Sequence, residues 1–281
     1  VSAWGFGFSG FPLDDAWIHQ TYARNLARSG QLAFTPGQPS AGSTAPLWTA
    51  LLSLGYLLRL PFQAWTYGLG LLFLGLTGWT MARLGARLWP GRGRVGLLTG
   101  LFCLFEWHLI WAAVSGMETM LFIWLSALLA ERYLAGEQGP ASVSRRRDFG
   151  LGVLGGLLIL TRPEGVGLVG LIGLDMAYRR LMGRWLALGL GAVLLLAPYV
   201  AFHLWTTGLP FPNTFYAKQE EYRALLTFYS PWRRWLMMAG VTLVGGQVLL
   251  LPGFVYAVWR FRPNPQSPTS RPWPSVYGPL L

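Results

Sequence analysis

The chain has 281 residues, 53% of them hydrophobic and only 12% charged, with a mean hydropathy of +0.41, whereas soluble domains carry roughly 25% charged residues. This excludes a soluble globular domain and a disordered chain, and the single cysteine, Cys103, excludes a disulfide scaffold. The net charge of +11 would suggest nucleic acid in a soluble protein, but here the basic residues sit between apolar runs and act as topology signals, so no nucleic-acid partner is expected.

The chain opens on Val1, and the acidic pair Asp14 and Asp15 precedes any long apolar run, so no signal peptide or first span is visible in it. The aromatic stretch from Trp4 to Phe11 has the character of a helix end. From Asp14 onward, the spacing of Ile18, Tyr22 and Leu26 predicts a helix. Its two leading carboxylates have two readings. One is that they cap orphan amides and match the helix dipole. The other is that adjacent acids at a membrane surface, with no Lys or Arg before Arg24, serve as a general base or clamp a divalent cation. Partial burial would then raise a carboxylate into the range where it takes a proton from a hydroxyl.

Residues 34–48, rich in Pro, Gly, Ser and Thr, predict an ordered surface loop. It leads into the apolar stretch Leu47 to Leu60. Seven further runs, 64–83, 95–113, 117–135, 149–161, 165–178, 185–206 and 235–259, are candidates to cross about 30 Å of hydrocarbon, which takes roughly 20 apolar residues. Two of them are short and flank Thr161-Arg162-Pro163-Glu164-Gly165, which predicts a tight helical hairpin. Charge places the stretch 47–60. If it crossed, the arginines of 83–94, 145–147 and 179–180 would lie outside, against the positive-inside rule. As an interfacial or re-entrant helix it puts them all inside, together with Arg184, Arg260 and Arg262.

The outer face then receives segment 1–63, the turn Ser115-Gly116-Met117-Glu118, the turn around Arg162 and Glu164, and the loop 208–234. Six of the 11 acids, Asp14, Asp15, Glu118, Glu164, Glu220 and Glu221, gather there with Arg162 and Lys218. Charges of both signs on one membrane face are a functional signal. Pro163 and Gly165 account for the second turn but not for Arg162 or Glu164. Arg162 could close the bundle as an ion pair with Glu164 or Glu118, or offer a bidentate donor to a phosphate. In the loop 208–234, Leu209-Pro210-Phe-Pro212-Asn213-Thr-Phe-Tyr216-Ala-Lys218 joins a stiff entry to amide, hydroxyl and cationic groups. Lys218 could simply snorkel toward the interface. As candidates for substrate binding, Asn213, Tyr216 and Lys218, with His19 and Arg24 of the first helix, stand beside Arg162, Glu164 and Glu118.

The remaining signals are structural. Gly91-Arg-Gly93-Arg-Val-Gly96 spells a GxGxxG pattern without a preceding strand and predicts a basic turn. Gly152 and Gly156 predict a close helix approach. Glu106 and His108 predict a buried pair bonded to neighbouring helices, and the histidines at 19, 108 and 203 lack metal-ligand spacing.

Taken in order, Asp14-Asp15-Ala-Trp-Ile with Tyr22-Ala-Arg24-Asn25, Pro36-Gly with Gly42-Ser-Thr-Ala-Pro46-Leu-Trp48, Ser115-Gly116-Met-Glu118-Thr, Thr161-Arg162-Pro163-Glu164-Gly165 and Pro212-Asn213-Thr-Phe-Tyr216-Ala-Lys218 resemble one family. It is the GT-C fold glycosyltransferases of bacteria, in particular the group similar to the mycobacterial terminal β-arabinofuranosyltransferase. The resemblance covers residues 11 to about 220 and describes a shortened member. It implies an all-α polytopic bundle of about seven transmembrane helices with juxtamembrane helices in the first outer loop. The expected divisions are an outer loop at 1–63, a bundle at 64–260 and a proline-rich cytoplasmic tail at 261–281. The implied activity is transfer of a sugar from a polyprenyl-phosphate donor to a glycan or lipid acceptor, on the extracytoplasmic face of the inner membrane. Asp14 would be the base. Asp15 would orient it or help bind Mg or Mn. The alternatives are a transporter or flippase built around Glu106 and His108, and an inactive shortened remnant.

Overall fold

A computed structural model of the chain describes residues 10–137, 144–242, 248 and 251–260. The expected tail at 261–281 and most of the stretch from Trp4 lie outside the described residues. The chain is all-helical, and among the described residues there is no strand. It forms two compact units, Val1–Tyr216 and Ala217–Leu281.

In the first unit, α1 (Asp14–Ser29) has Asp14 and Asp15 in its first turn and Arg28 in its last, both matched to the helix dipole. It ends at Gly30, whose φ of 68° lets its N–H reach the Leu26 carbonyl. α2 (Pro46–Leu57) starts on proline, where the missing N–H costs nothing. Then follow α3 (Phe62–Leu88), α4 (Gly93–Phe105), α5 (Trp107–Ala113), α6 (Thr119–Glu137), α7 (Arg145–Thr161), a single 3-10 turn at Pro163–Gly165, α8 (Val166–Tyr178) and α9 (Met182–Thr207). α10 (Asn213–Phe228) begins in this unit, and α11 (Pro231–Thr242) and α12 (Leu251–Arg260) belong to the second. The segment 208–234, expected as a loop, therefore holds a helix. After Pro212 its Ala, Lys, Gln, Glu, Arg and Leu residues are good helix formers.

α3 and α9, of 27 and 26 residues, are long and apolar enough to cross a membrane. α4 and α5 make a third span if counted together, but they are bent by 56°. The run 95–113 is thus not one straight helix. Its break is built by Glu106, whose extended backbone interrupts the helix and whose carboxylate accepts the Leu109 N–H at 2.9 Å, capping α5. The same carboxylate meets His108 Nδ1 at 2.6 Å, so among the described residues these two pair with each other and not with neighbouring helices, and they are partly exposed where burial was expected. Glu106 is diverted from its neighbours by the amide it caps.

α1 packs on α2, α2 on α3 and α7, α3 on α4 and α6, and α7 on α6 and α9. A core of Trp48, Leu52, Phe73, Met120, Leu129, Leu158 and Met176 lies among them. The predicted close approach at Gly152 is real, because a Cβ there would fall 2.0 Å from the Leu188 carbonyl oxygen of α9. One end of the unit is tied by buried ion pairs. Arg184 of α9 forks onto Asp148 of α7 at 3.0 and 3.2 Å, and Arg83 and Arg87 of α3 reach the fully buried Glu131 of α6 at 3.0 and 3.2 Å. Because the α7 and α9 backbones touch at Gly152, Gly152→Leu should force them apart and lower thermal stability in detergent by more than the roughly 1–3 kcal/mol of ordinary overpacking. Gly150→Leu, where an added Cβ meets nothing within 4 Å, is the control. Equal melting of the two variants would refute the packing assignment.

Candidate functional site

At the opposite end, three separated segments converge on Glu118. The first is α1. Its buried side consists of Ala16, His19, Gln20, Tyr22, Ala23 and Asn25, whereas Ile18 is 41% exposed. Polar residues occupy that side because they are bonded there. Gln20 Nε2 donates to Thr66 Oγ1 at 2.8 Å, and Tyr56 OH donates to Gln20 Oε1 at 2.9 Å, which joins α1 to α3 and α2.

The second segment is the turn before α6. Gly116 has φ +84°, and an added Cβ would stand 2.5 Å from the Phe11 ring and 2.9 Å from Ala16. Only glycine suits both the left-handed backbone and the closeness of α1. Trp48 Nε1 of α2 donates to the Gly116 carbonyl at 3.2 Å, and Ser115 Oγ accepts the Met117 N–H at 3.2 Å. The third segment is the turn after α7. Arg162 adopts the extended backbone that a residue before proline favours, and its carbonyl accepts the Gly165 N–H at 3.0 Å.

Glu118 is 4% exposed and His19 5%. Glu118 Oε2 lies 3.2 Å from His19 Nε2, and Glu118 Oε1 lies 3.6 Å from Arg162 Nη1. Arg162 Nη2 lies 3.4 Å from Glu164 Oε1. Both ion pairs weighed for Arg162 therefore exist together. Burial pushes the Glu118 carboxyl up, but the adjoining His19, with a further contribution from Arg162, outweighs it and holds the group below the usual carboxylate range. His19 Nδ1 is buried and has no hydrogen-bond partner among the described residues.

Asp14 and Asp15 are exposed, not partly buried as the sequence suggested. Leu13 is the N-cap residue, so α1 draws the carboxylates into its first turn for the dipole, and Asp14 Oδ1 accepts the Asp15 N–H at 3.0 Å. Asp15 stands one helical turn before His19 on the same side of α1. As a divalent-cation site the pair does not fit. One oxygen is already bonded to the helix, and among the described residues no group of three or more His, Cys, Asp or Glu converges.

The other candidates lie elsewhere. Arg24 is exposed, ten residues beyond Asp14 and roughly 15 Å along the axis of α1. Asn213 donates its N–H to the Ala41 carbonyl at 3.1 Å and lines a separate cavity of about 290 Å³. Tyr216 packs against the rings of Phe211 and Phe215. The side chain of Lys218 lies outside the described residues. Sequence reasoning missed the Gln20, Tyr56 and Thr66 chain and the contact of His19 with Glu118. The signal available for them was the polar pair His19 and Gln20 at helical spacing (i+3, i+4) from small Ala16, with Ala23 one turn further on.

No family model, no curated protein and no solved structure matches the chain.

A carboxyl held below its ordinary value adds stability that is complete above that value, about 4.3, and is lost as pH falls through the lower folded value. Unfolding followed in detergent from about pH 7 to about pH 3 should therefore lose stability in its acid part. Glu118→Gln should flatten that part and lower the neutral-pH midpoint, while Glu164→Gln should leave both nearly unchanged. An acid profile unaltered by Glu118→Gln would refute the assignment.

Proposed function

We propose that the chain is a membrane glycosyltransferase of GT-C type. It moves a sugar from a polyprenyl-phosphate donor to a glycan or lipid acceptor of the cell envelope, on the outer face of the plasma membrane. One observation carries the reading. Of the five sequence blocks that resemble the family, the first four meet around Glu118 and Gly116, and the fifth is tied by Asn213 to the loop of the second. His19 of the first faces Glu118 of the third, Glu118 faces Arg162 of the fourth, Trp48 of the second bonds Gly116 of the third, and Asn213 of the fifth bonds Ala41 in the loop of the second. Segments that served only as surface loops would have no reason to be joined by buried polar contacts. The exposed apolar face of α9, with Leu186, Leu190, Val193 and Leu194, suits contact with lipid tails. About seven helices cross the membrane in this arrangement, with α1 and α2 lying along the outer surface.

The chemistry follows from charge placement. Asp14, exposed and unencumbered on its second oxygen, takes the proton from an acceptor hydroxyl. The hydroxyl oxygen bonds to the anomeric carbon, and the bond from that carbon to the phosphate oxygen breaks with its electron pair. Polyprenyl phosphate leaves with an added negative charge, which Arg162 at the rim stabilises. Arg162 is 38% exposed at its side chain, so the guanidinium is accessible. A positioned base contributes about 100- to 10,000-fold. Transfer from radiolabelled polyprenyl-phosphate sugar in membranes should accordingly fall at least about 100-fold in Asp14→Asn, with protein level and thermal stability unchanged. A wild-type rate in that variant would remove Asp14 from the mechanism.

A further inference from the structure

We infer that the cavity between the 34–41 loop and the C-terminal end of α9 is a second binding site, distinct from the Glu118 cluster, and that it takes an uncharged sugar unit. The cavity measures about 290 Å³, at the small end of the roughly 300–1,000 Å³ that ligand pockets occupy, which suits a single ring rather than an extended ligand. It is lined by Phe34, Thr35, Gln38, Ser40, Thr207 and Asn213, among others, and no charged residue contributes to it.

The lining chemistry selects the ligand class. Thr35, Gln38 and Asn213 make no side-chain hydrogen bond to another described residue, so two amides and a hydroxyl offer both donors and acceptors to the space. The Thr207 hydroxyl is used within the fold, donating to the His203 carbonyl at 2.9 Å and accepting the Leu209 N–H at 3.3 Å. Among the described residues lining the space there is no cation to receive a phosphate or carboxylate. An apolar ligand would strip water from the amides without replacing it, leaving their polar groups unsatisfied. A polyhydroxylated neutral ring satisfies donors and acceptors together, and the Phe34 ring at the mouth, 49% exposed, offers an apolar face to its C–H side.

The wall is also prepared before any ligand arrives. Ser40 N–H donates to the Leu32 carbonyl at 2.9 Å, the Ser40 and Tyr22 hydroxyls meet at 2.9 Å, and Asn213 N–H pins Ala41 at 3.1 Å. A loop fixed at three points loses little further freedom on binding. Tyr22 lies eight residues after Asp14, roughly 12 Å along α1, so the sugar held here is not the reacting one. Assigning it to a remote unit of the acceptor glycan rests on the transferase reading. The binding itself does not.

The test uses the full chain in nanodiscs and saturation-transfer NMR with methyl glycosides of glucose, galactose, mannose and arabinose, beside glucuronate as a charged analogue. At least one neutral glycoside should show transfer that weakens about tenfold in the Gln38→Ala/Asn213→Ala double variant, a loss of about 1.4 kcal/mol, while glucuronate binds more weakly. Thr35→Val provides a second variant, since Thr35 is exposed and its side chain supports no other part of the fold. The proposal is overturned if no neutral glycoside binds, if glucuronate binds equally well, or if the variants bind like wild type. Asp14→Asn separates the two claims, because it should leave glycoside binding intact whatever it does to transfer. Binding without any transferase activity sinks only the catalytic reading, and activity without glycoside binding sinks only this site.

Discussion

Glu118, a carboxylate at 4% exposure, has to be paired, and the arrangement of three chain segments follows from that requirement. Removing an ion from water costs several kcal/mol even after relaxation, and the cost is recovered only when partners are held close. Those partners come from α1 and from the turn after α7, so His19 and Arg162 must reach the same point. A rotation of α1 by one residue would carry His19 away and leave the acid unpaired. The nearby glycine obeys the same constraint. Gly116 lets the turn before α6 lie against Phe11 and Ala16, and Trp48 satisfies the carbonyl that this exposes.

The other end of the first unit solves the same problem with a different balance. Glu131, without exposure, faces Arg83, Arg87 and Arg132, Asp148 holds Arg184, and Asp175 accepts from Tyr133 and Arg179. Basic groups outnumber acids there, whereas around Glu118 two carboxylates, Glu118 and Glu164, face one arginine and one histidine. Fourteen residues of α7 separate Asp148 from Arg162, roughly 21 Å along a helix, and the side chains between them, such as Leu151 and Leu158, belong to the apolar core. One arginine-rich network and one balanced network, separated by an apolar slab, give the helix unit a direction. The arginine clusters of the sequence alone point the same way.

Helix positions were legible because long apolar runs, terminal charges and the Pro-Gly turn at 163–165 are local signals. What escaped was set by partners distant in sequence. The spacing of Ile18, Tyr22 and Leu26 gave the helix of α1 but not its packed side, which includes His19 and Gln20 because an ion pair with Glu118 and hydrogen bonds to Thr66 and Tyr56 offset the burial of polar groups. The break at Glu106 looked like an acid inside a span because periodicity does not reveal that a carboxylate has turned onto an amide three residues later. Asn213 was grouped with Arg162 by polarity and by the family pattern, whereas its backbone bond to Ala41 sets it beside a different cavity.

Under the proposed transfer, Arg162 must receive a phosphate while it already faces two carboxylates, and these are not equivalent. Glu164 is 64% exposed at its side chain and touches a single guanidinium nitrogen at 3.4 Å. Exposed pairs of this kind are worth about 0–1 kcal/mol, so an incoming phosphate displaces it at little cost. Glu118 is buried and held on its other oxygen by His19, and it stays. A guanidinium has five N–H donors in a planar fork, and one long contact to Glu118 leaves most of them free for phosphate oxygens. The buried acid therefore does not cancel the cation. It fixes where the cation stands, so that the ordering a ligand would otherwise have to impose on a flexible arginine is already present in the folded chain. The exposed acid covers the same cation until the ligand arrives.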